Sequence, residues 1–201
     1  MSLSRAKEHL ARYGKEDDVM EFDASSATVE LAAQAIGCAP ERIAKTLSFD
    51  LGERVALIVC AGDAKVANAK FKACFGTKAR MLRADQAEER IGHAVGGVCP
   101  FGVKDGCDVY LDESLKRFDY VYPAAGSSNS AIRLTLDELR EVTPGSRWVD
   151  VCKLPESTLT GVTGSSSIGR SGVGSAGPRS CRGDARRLRA AARGVCVSGR
   201  R

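Results

Sequence analysis

Apolar residues recur at helical spacing in several short segments of the first 150 residues, and each such segment predicts a helix. Leu3, Ala6, Leu10 and Tyr13 recur at helical spacing, and Gly14 ends the pattern. The same kind of pattern, closed by a glycine or opened by a capping residue, predicts four further helices. They cover about 28–36 with Ser25 or Ser26 as the cap, 63–75 capped by Asp63, 84–91, and 136–142 capped by Thr135. A short helical turn follows Pro40.

Strand-like segments lie between these helices. The runs 45–51 and 54–61 flank a Gly52–Glu53 turn and predict a hairpin. The second run, VALIVCA, is apolar throughout, which is typical of a central strand buried on both faces. Shorter strands are predicted at 19–22, 80–82, 109–111, 120–122, 131–134 and 148–152. Because the order is not a strict βαβ alternation, we expect a mixed α/β (α+β-like) fold with a curved, barrel-like mixed sheet surrounded by helices.

Charge divides the 201 residues into a body and a tail. Residues 1–153 carry 21 Lys/Arg and 23 Asp/Glu, whereas residues 154–201 carry nine Arg and two acids. The tail also holds nine Gly and eight Ser and lacks aromatic residues, a composition that predicts disorder. We therefore expect one folded domain at 1–153 and a Gly/Ser/Arg-rich disordered tail at 154–201. The tail is either a basic arm for nucleic acid or an extension foreign to the native protein.

The remaining composition limits the cellular setting. No run of about 18 apolar residues is present, and the N-terminal segment lacks the apolar region of a signal peptide, so we expect a cytoplasmic protein without membrane contact. The eight cysteines form no CxxC pair and match no zinc-site spacing, so we expect no metal. The body, residues 1–153, carries no nucleotide-binding or hydrolase signature, and no cofactor is expected.

Two loops and one lysine are candidates for chemistry. The segment Gly96-Gly97-Val98-Cys99-Pro100 could present backbone N–H groups to an ester oxygen, or it could be a tight connection. The segment Gly126-Ser127-Ser128-Asn129 offers polar groups at a strand end, or is a plain hairpin turn. Lys45 opens the strand KTLSF; it is either a solvated flanking residue or, if it faces the same cavity as the loops, a cation for a phosphate or an ester oxygen.

The histidines give one alternative. His9 is expected at the surface of the first helix, and His93 is expected to be structural. A Cys99–His93 dyad would make the protein a thiol enzyme, although no third group that would orient the histidine is evident.

Together these segments resemble the YbaK family of aminoacyl-tRNA deacylases, also called prolyl-tRNA editing proteins. Ala44-Lys45-Thr46-Leu47 matches the family's lysine-bearing strand, and Ala61-Gly62-Asp63 with Lys70-Phe71-Lys72 matches the segment that follows. The stretch from Gly96 to Pro100 matches a G-x-x-x-P loop, and Gly126 to Ser130 falls at a late strand turn. The resemblance covers about residues 3–153.

The resemblance implies a free-standing hydrolase that cleaves the ester of mischarged tRNA, tRNA(Pro) being the expected type, for translational quality control. Lys45 would be the catalytic lysine. The substrate-binding residues would be Gly96, Gly97, Val98, Cys99, Pro100, Gly126, Ser127, Ser128 and Asn129. No metal or cofactor is implied, and the partners would be mischarged aminoacyl-tRNA and a prolyl-tRNA synthetase. The alternative is a non-catalytic module of the same fold that binds tRNA or a synthetase.

Some positions depart from the family pattern. Met20 stands where some members have a tyrosine, and Ala124 and Ala131 stand where some have a serine and a carboxylate. The body is slightly acidic, which is unusual for an RNA-binding protein. Six basic residues that cluster in sequence would supply a positively charged surface for RNA if they form one face of the protein. Otherwise they are simply a solvated surface. They are Lys65, Lys70, Lys72, Lys78, Arg80 and Arg83.

Overall fold

The computed structural model describes residues 2–23 and 28–155. The predicted caps Ser25 and Ser26 and all but the first two residues of the predicted tail lie outside these residues.

An antiparallel hairpin forms the centre of the sheet, as the sequence predicts. Strand β2 (Ile43–Asp50) pairs with β3 (Val55–Ala61) in a register that runs from Ala44 opposite Ala61 to Asp50 opposite Val55. Every residue of β3 is buried. Its uninterrupted apolar sequence follows from this position, because both faces of the strand are covered.

Four strands flank this hairpin: β5 (Cys107–Asp112), β6 (Tyr120–Pro123), β8 (Leu134–Thr135) and β9 (Arg147–Val149). In the described part of the chain they form with it a six-stranded main sheet in the order β8–β6–β2–β3–β5–β9. Pairings β6–β2, β3–β5 and β5–β9 are parallel, whereas β2–β3 and β6–β8 are antiparallel. The sheet is therefore mixed, and it curls into half a barrel, which confirms the predicted fold class.

Two small sheets extend this framework. Strand β1 (Val19–Glu21) pairs with β7 (Ser130–Ile132), and β4 (Lys65–Val66) pairs with β10 (Cys152–Lys153), both antiparallel. The predicted strands 131–134 and 148–152 are each divided in two. The physical reason is that the pairing partner changes along each segment. The first segment pairs with β1 as β7 and then with β6 as β8. The second pairs with β5 as β9 and then with β4 as β10.

Five α-helices lie in the described residues. They are α1 (Ser2–Ala11), α2 (Val29–Ile36), α3 (Asn68–Phe75), α4 (Ala84–Ile91) and α5 (Leu136–Val142). Short 3-10 helices occupy Pro40–Arg42 and Glu113–Arg117. The Thr135 hydroxyl accepts a hydrogen bond from Glu138 N, and the Glu138 carboxylate accepts one from Thr135 N, so the predicted cap is confirmed as a capping box.

Three local predictions are wrong. Thr28 caps α2, because its hydroxyl accepts a hydrogen bond from Leu31 N, so the helix begins one residue later than predicted. Asp63 does not cap α3; its carboxylate accepts hydrogen bonds from Arg117, and β4 lies between it and the helix. The predicted strand 80–82 is reduced to an isolated bridge between Met81 and Phe49.

A buried carboxylate at the end of β5 binds backbone groups of neighbouring segments. Asp112 ends this strand and is 1% exposed. Its Oδ1 accepts a hydrogen bond from Ser114 N at 3.0 Å, and its Oδ2 accepts from Val151 N at 2.9 Å and Cys152 N at 3.1 Å. One side chain thus satisfies three backbone N–H groups: one in the 3-10 helix that follows β5, and two where the chain passes from β9 to β10.

We expect Asp112→Ala to lower the free energy of unfolding by at least about 3 kcal/mol, because it leaves three buried donors without an acceptor. Asp108→Ala is the matched control on the same strand, where the carboxylate forms a surface ion pair with Arg54, and we expect a loss of about 1 kcal/mol or less. Urea unfolding followed by circular dichroism measures both. Equal losses would show that the Asp112 hydrogen bonds contribute little.

Candidate active site

A cavity of about 490 Å³ opens beside the hairpin. Its walls come from α2, from β2, from α4 with the segments on both sides of it, and from the ends of β6 and β7. Fourteen of its 21 lining residues are Ala, Val, Ile, Leu or Met, and the single charged residue among them is Lys45. A lone ammonium in an apolar enclosure is the main electrostatic feature of this site.

Lys45 is held in place by a backbone carbonyl. It lies on β2 opposite Cys60 of β3, and its Nζ donates a hydrogen bond to Gly62 O at 2.9 Å. Position 62 requires glycine, because a Cβ there would lie 2.0 Å from Pro40 O. The close approach of the chain at Gly62 therefore brings its carbonyl within reach of the lysine.

Two of the predicted residues in the first loop reach the cavity. Gly96 and Val98 line it, together with Val95. Gly97 instead packs against the second loop, since a Cβ on it would lie 2.7 Å from Gly126 O. Cys99 and Pro100 are buried and do not line the cavity.

The second predicted loop lies next to the cavity but does not line it. Gly126, Ser127, Ser128 and Asn129 do not line it, whereas the flanking residues Ala124, Ser130 and Ala131 do. Ser127 Oγ donates hydrogen bonds within the turn, to Asn129 Oδ1 at 2.8 Å or Ser130 Oγ at 2.7 Å. Asn129 Nδ2 donates to Phe22 O at 2.9 Å, which fastens the turn to the end of β1.

The proposed thiol dyad is close in space but chemically unsuited to catalysis. Cys99 Sγ lies 3.6 Å from His93 Nε2, and both residues are fully buried. His93 Nε2 donates its hydrogen to Phe101 O at 2.7 Å, so this nitrogen cannot take a proton from the thiol. Burial raises the pKa of the Cys99 thiol to about 12 and lowers the pKa of His93, so both groups are neutral near pH 7.

His9 is half-buried rather than fully at the surface. Its ring lies beside those of Tyr13 and Phe101, and its Nε2 donates a hydrogen bond to Val142 O at 2.6 Å. The histidine thus joins the first helix to the end of the last described helix, which is a structural role.

Part of the cavity was not predicted from the sequence. Helix α2 contributes Val29, Ala32 and Ile36. The segment that leads into α4 and the helix itself contribute Met81, Leu82, Ala84 and Ala87, and β6 contributes Tyr122. The helical spacing 29, 32, 36 in the sequence identifies an apolar face, but it does not distinguish a face that packs in the core from one that borders a cavity.

The chemistry available at the cavity is that of binding and charge stabilisation. Its described lining contains no Asp, Glu, His or Cys. In the described part of the chain, no group of three metal-binding side chains comes together, and no helix is long and apolar enough to span a bilayer.

The six basic residues predicted as a nucleic-acid surface are all exposed. Two of them form surface ion pairs: Lys70 Nζ lies 2.6 Å from Asp150, and Arg83 lies 2.8 Å from Asp85. Whether the six act together in binding RNA stays a prediction.

Comparison with known proteins identifies the family of this protein. A family model for the aminoacyl-tRNA editing domain matches residues 23–142, so the chain belongs to this family. The matched range contains Lys45, Gly62, the loop at Gly96 and the turn at Gly126.

Particular relatives agree with this assignment. The uncharacterized protein YwhH of Bacillus subtilis (strain 168) is 54% identical over 154 residues, which are 76% of this chain and 98% of the relative. Among solved structures, one described as a candidate trans-editing enzyme for prolyl-tRNA synthetase is 30% identical, with a TM-score of 0.69 over 76% of this chain and 97% of its own. The hypothetical protein APE2540 is 25% identical, with a TM-score of 0.63 over 72% of this chain and 99% of its own.

We expect Gly97→Ala to displace the second loop, because the added methyl group would overlap Gly126 and Ser127, and to cost about 1–3 kcal/mol of stability. Gly145→Ala is the control, since a Cβ at that glycine meets no atom within 4 Å, although its φ of +78° also carries some cost. Amide chemical shifts of residues 124–130 measure the displacement. Shifts that stay in place in the Gly97 variant would contradict the contact between the two loops.

Proposed function

We propose that the protein is a free-standing deacylase that hydrolyses the ester of a mischarged tRNA, with tRNA(Pro) as the expected type. The observation that carries this proposal is the single ammonium of Lys45, fixed by Gly62 O at the edge of an otherwise uncharged cavity. Membership of the aminoacyl-tRNA editing family supports it, and the similarity to the candidate prolyl-tRNA trans-editing enzyme supports the choice of tRNA(Pro).

The reaction suits a site without acid or base side chains. An aminoacyl ester is already activated, so positioning and stabilisation of the developing oxyanion supply the needed catalysis. Water adds to the carbonyl carbon, the bond from that carbon to the ribose oxygen breaks, and the proton from water ends on the ribose oxygen. In this proposal Lys45 stabilises the negative charge, while Gly96 and Val98 hold the acyl group in place.

The remaining predicted binding residues act indirectly in this proposal. Gly97 and Gly126 let the two loops pack closely, and Ser127 and Asn129 hold the turn in shape, so that Ala124, Ser130 and Ala131 border the cavity. A prolyl-tRNA synthetase is the proposed partner, since it would supply affinity for tRNA that an acidic body lacks.

We expect Lys45→Ala to lower kcat for at least one mischarged tRNA(Pro) by about 10²–10³-fold, because it removes the one charged side chain among the described residues that line the cavity. Deacylation of tRNA(Pro) charged with Cys, Ala, Ser or Thr measures the effect. Lys116→Ala, at an exposed lysine paired with Glu113, is the matched control and should retain full activity.

Turnover that is unchanged in Lys45→Ala would show that the site is misplaced although the reaction is correct. No turnover of any species by the wild type, with or without a synthetase, would favour the non-catalytic binding module.

We expect Cys99→Ser to retain deacylase activity within a few-fold and Cys99 to resist alkylation at pH 8 in the native protein, since burial keeps its thiol protonated. Cys74, which is exposed, is the internal control for alkylation, and mass spectrometry locates the modified thiols. Loss of activity together with rapid alkylation of Cys99 would instead support the hypothesis of a thiol enzyme.

A further inference from the structure

We propose that a surface beside the cavity, formed by Arg42, Tyr120, Tyr122 and Arg133, binds the single-stranded nucleotides at the 3′ end of the tRNA. We call it the arginine–tyrosine surface. This inference rests on the proposed function, because it assumes that the ester next to Lys45 is carried by RNA.

The arginine–tyrosine surface begins at the wall of the cavity. Tyr122 of β6 lines the cavity and lies opposite Ile43 of β2, two residues before Lys45. Side chains two positions apart on a strand share one face, so Tyr120 continues the face of Tyr122 beyond the cavity. The two rings meet edge to face, with their centroids 5.8 Å apart. An aromatic strip therefore leads outward from the region of the lysine.

Two arginines stack on the outer tyrosine. The Cζ atoms of Arg42 and Arg133 lie 4.3 Å and 4.1 Å from the centroid of the Tyr120 ring. Arg42 Nη1 also donates a hydrogen bond to Tyr120 O at 3.3 Å. Stacking uses the flat face of a guanidinium, so the N–H groups at its edge stay available to a ligand while the group is held in place.

The charge of these two arginines is not cancelled by a neighbour. Neither Arg42 nor Arg133 forms an ion pair with a carboxylate of the described residues, and Arg133 is exposed. Four other arginines of the described chain each pair with an aspartate: Arg54, Arg83, Arg90 and Arg117. In a slightly acidic body, an unpaired and oriented guanidinium is a distinctive place for a phosphate.

A hollow of about 340 Å³ lies against Tyr120 and Arg133. Two carboxylates, Asp18 and Glu138, also line it and would repel a phosphate. Both lie near Lys15 Nζ, at 3.6 Å and 2.5 Å, so this ammonium offsets part of their charge. Arg133 is the one cation among the described residues that line the hollow, and it directs the site towards an anion.

The chemistry of the surface matches single-stranded RNA. Unpaired bases stack on aromatic rings and on guanidinium planes, and arginine binds phosphate oxygens through paired hydrogen bonds. The bases of a duplex are already stacked on one another, so their faces are not available. Since the acyl group is esterified to the terminal ribose, the nucleotides just before it must cross a border of the cavity, and the border at Tyr122 offers these contacts.

The first test uses uncharged RNA and does not depend on turnover. Two hairpins of the tRNA(Pro) acceptor stem, one with and one without the single-stranded 3′ ACCA, are titrated into the protein, and amide chemical shifts give the site and the Kd. We expect shifts at residues 42, 120–122 and 133 with the extended hairpin. We expect Arg133→Gln to weaken binding of this hairpin by about tenfold and to leave the blunt hairpin unaffected, since it removes a hydrogen-bonded charge contact.

Arg42→Lys tests orientation apart from charge. It keeps the positive charge but loses the planar group that stacks on Tyr120, so we expect several-fold weaker binding of the extended hairpin. Arg147→Gln is the matched control for charge. Arg147 is exposed and lies on β9, the edge strand opposite to the β8 edge that Arg133 precedes. The control should bind both hairpins as the wild type does.

Three outcomes would overturn the inference. They are equal affinity of the wild type for the two hairpins, shifts that avoid the arginine–tyrosine surface, and an equal loss of affinity in the Arg133 and Arg147 variants. A merely structural role of the stack would appear as a lower melting temperature of Arg133→Gln with unchanged affinity, which overturns it as well.

Deacylation kinetics supply a second readout. We expect Arg133→Gln to raise KM for the mischarged tRNA by about tenfold with kcat unchanged, because the contact is made equally in the bound substrate and in the transition state. A lower kcat with unchanged KM would contradict this role. Absence of turnover by the wild type would count against the proposed function, and the hairpin titration would still decide the inference.

Discussion

The antiparallel pairing of β2 with β3 is the interaction on which the rest of the structure depends. Strand β3 is buried along its whole length and pairs with β5 on its other side, so it forms the middle of the sheet. Strand β2 gains a fixed register from this partner, and with it Lys45 is placed opposite Cys60. A slip of one residue would turn Lys45 to the opposite face of the sheet. The position of the ammonium is therefore set by the core and not by the flexible lysine chain.

Glycines then allow the backbone to approach where side chains would keep segments apart. At Gly62 the chain passes so near Pro40 O that no Cβ fits, and the carbonyl of this glycine holds the lysine. At Gly97 the first loop contacts Gly126 and Ser127 of the second loop. The second loop thus acts mainly on the first, whereas Gly96 and Val98 of the first loop and the residues that flank the second loop face the cavity.

The sequence predicts the helices and strands whose signals are local. The hairpin and the Thr135 helix cap depend on neighbouring residues, and both are confirmed. The divided strands at 130–135 and 147–153 were not predictable, because a change of partner depends on contacts far along the chain. Asp63 shows the same limit: its carboxylate is a good helix cap in sequence, but Arg117, 54 residues away, binds it instead.

The candidate site was predictable in part for the same reason. Lys45 and the glycine loop stand out as unusual residues in their local context, whereas the wall of α2 and the pair Ala124 and Ala131 consist of ordinary small apolar residues. Such residues become informative only when the structure shows that they border a cavity. Since the proposed reaction needs one charge and an aligned ester, it places few demands on the remaining wall. In this proposal the wall is consequently free to vary, and its mostly apolar residues contribute contact with the acyl group and not chemistry.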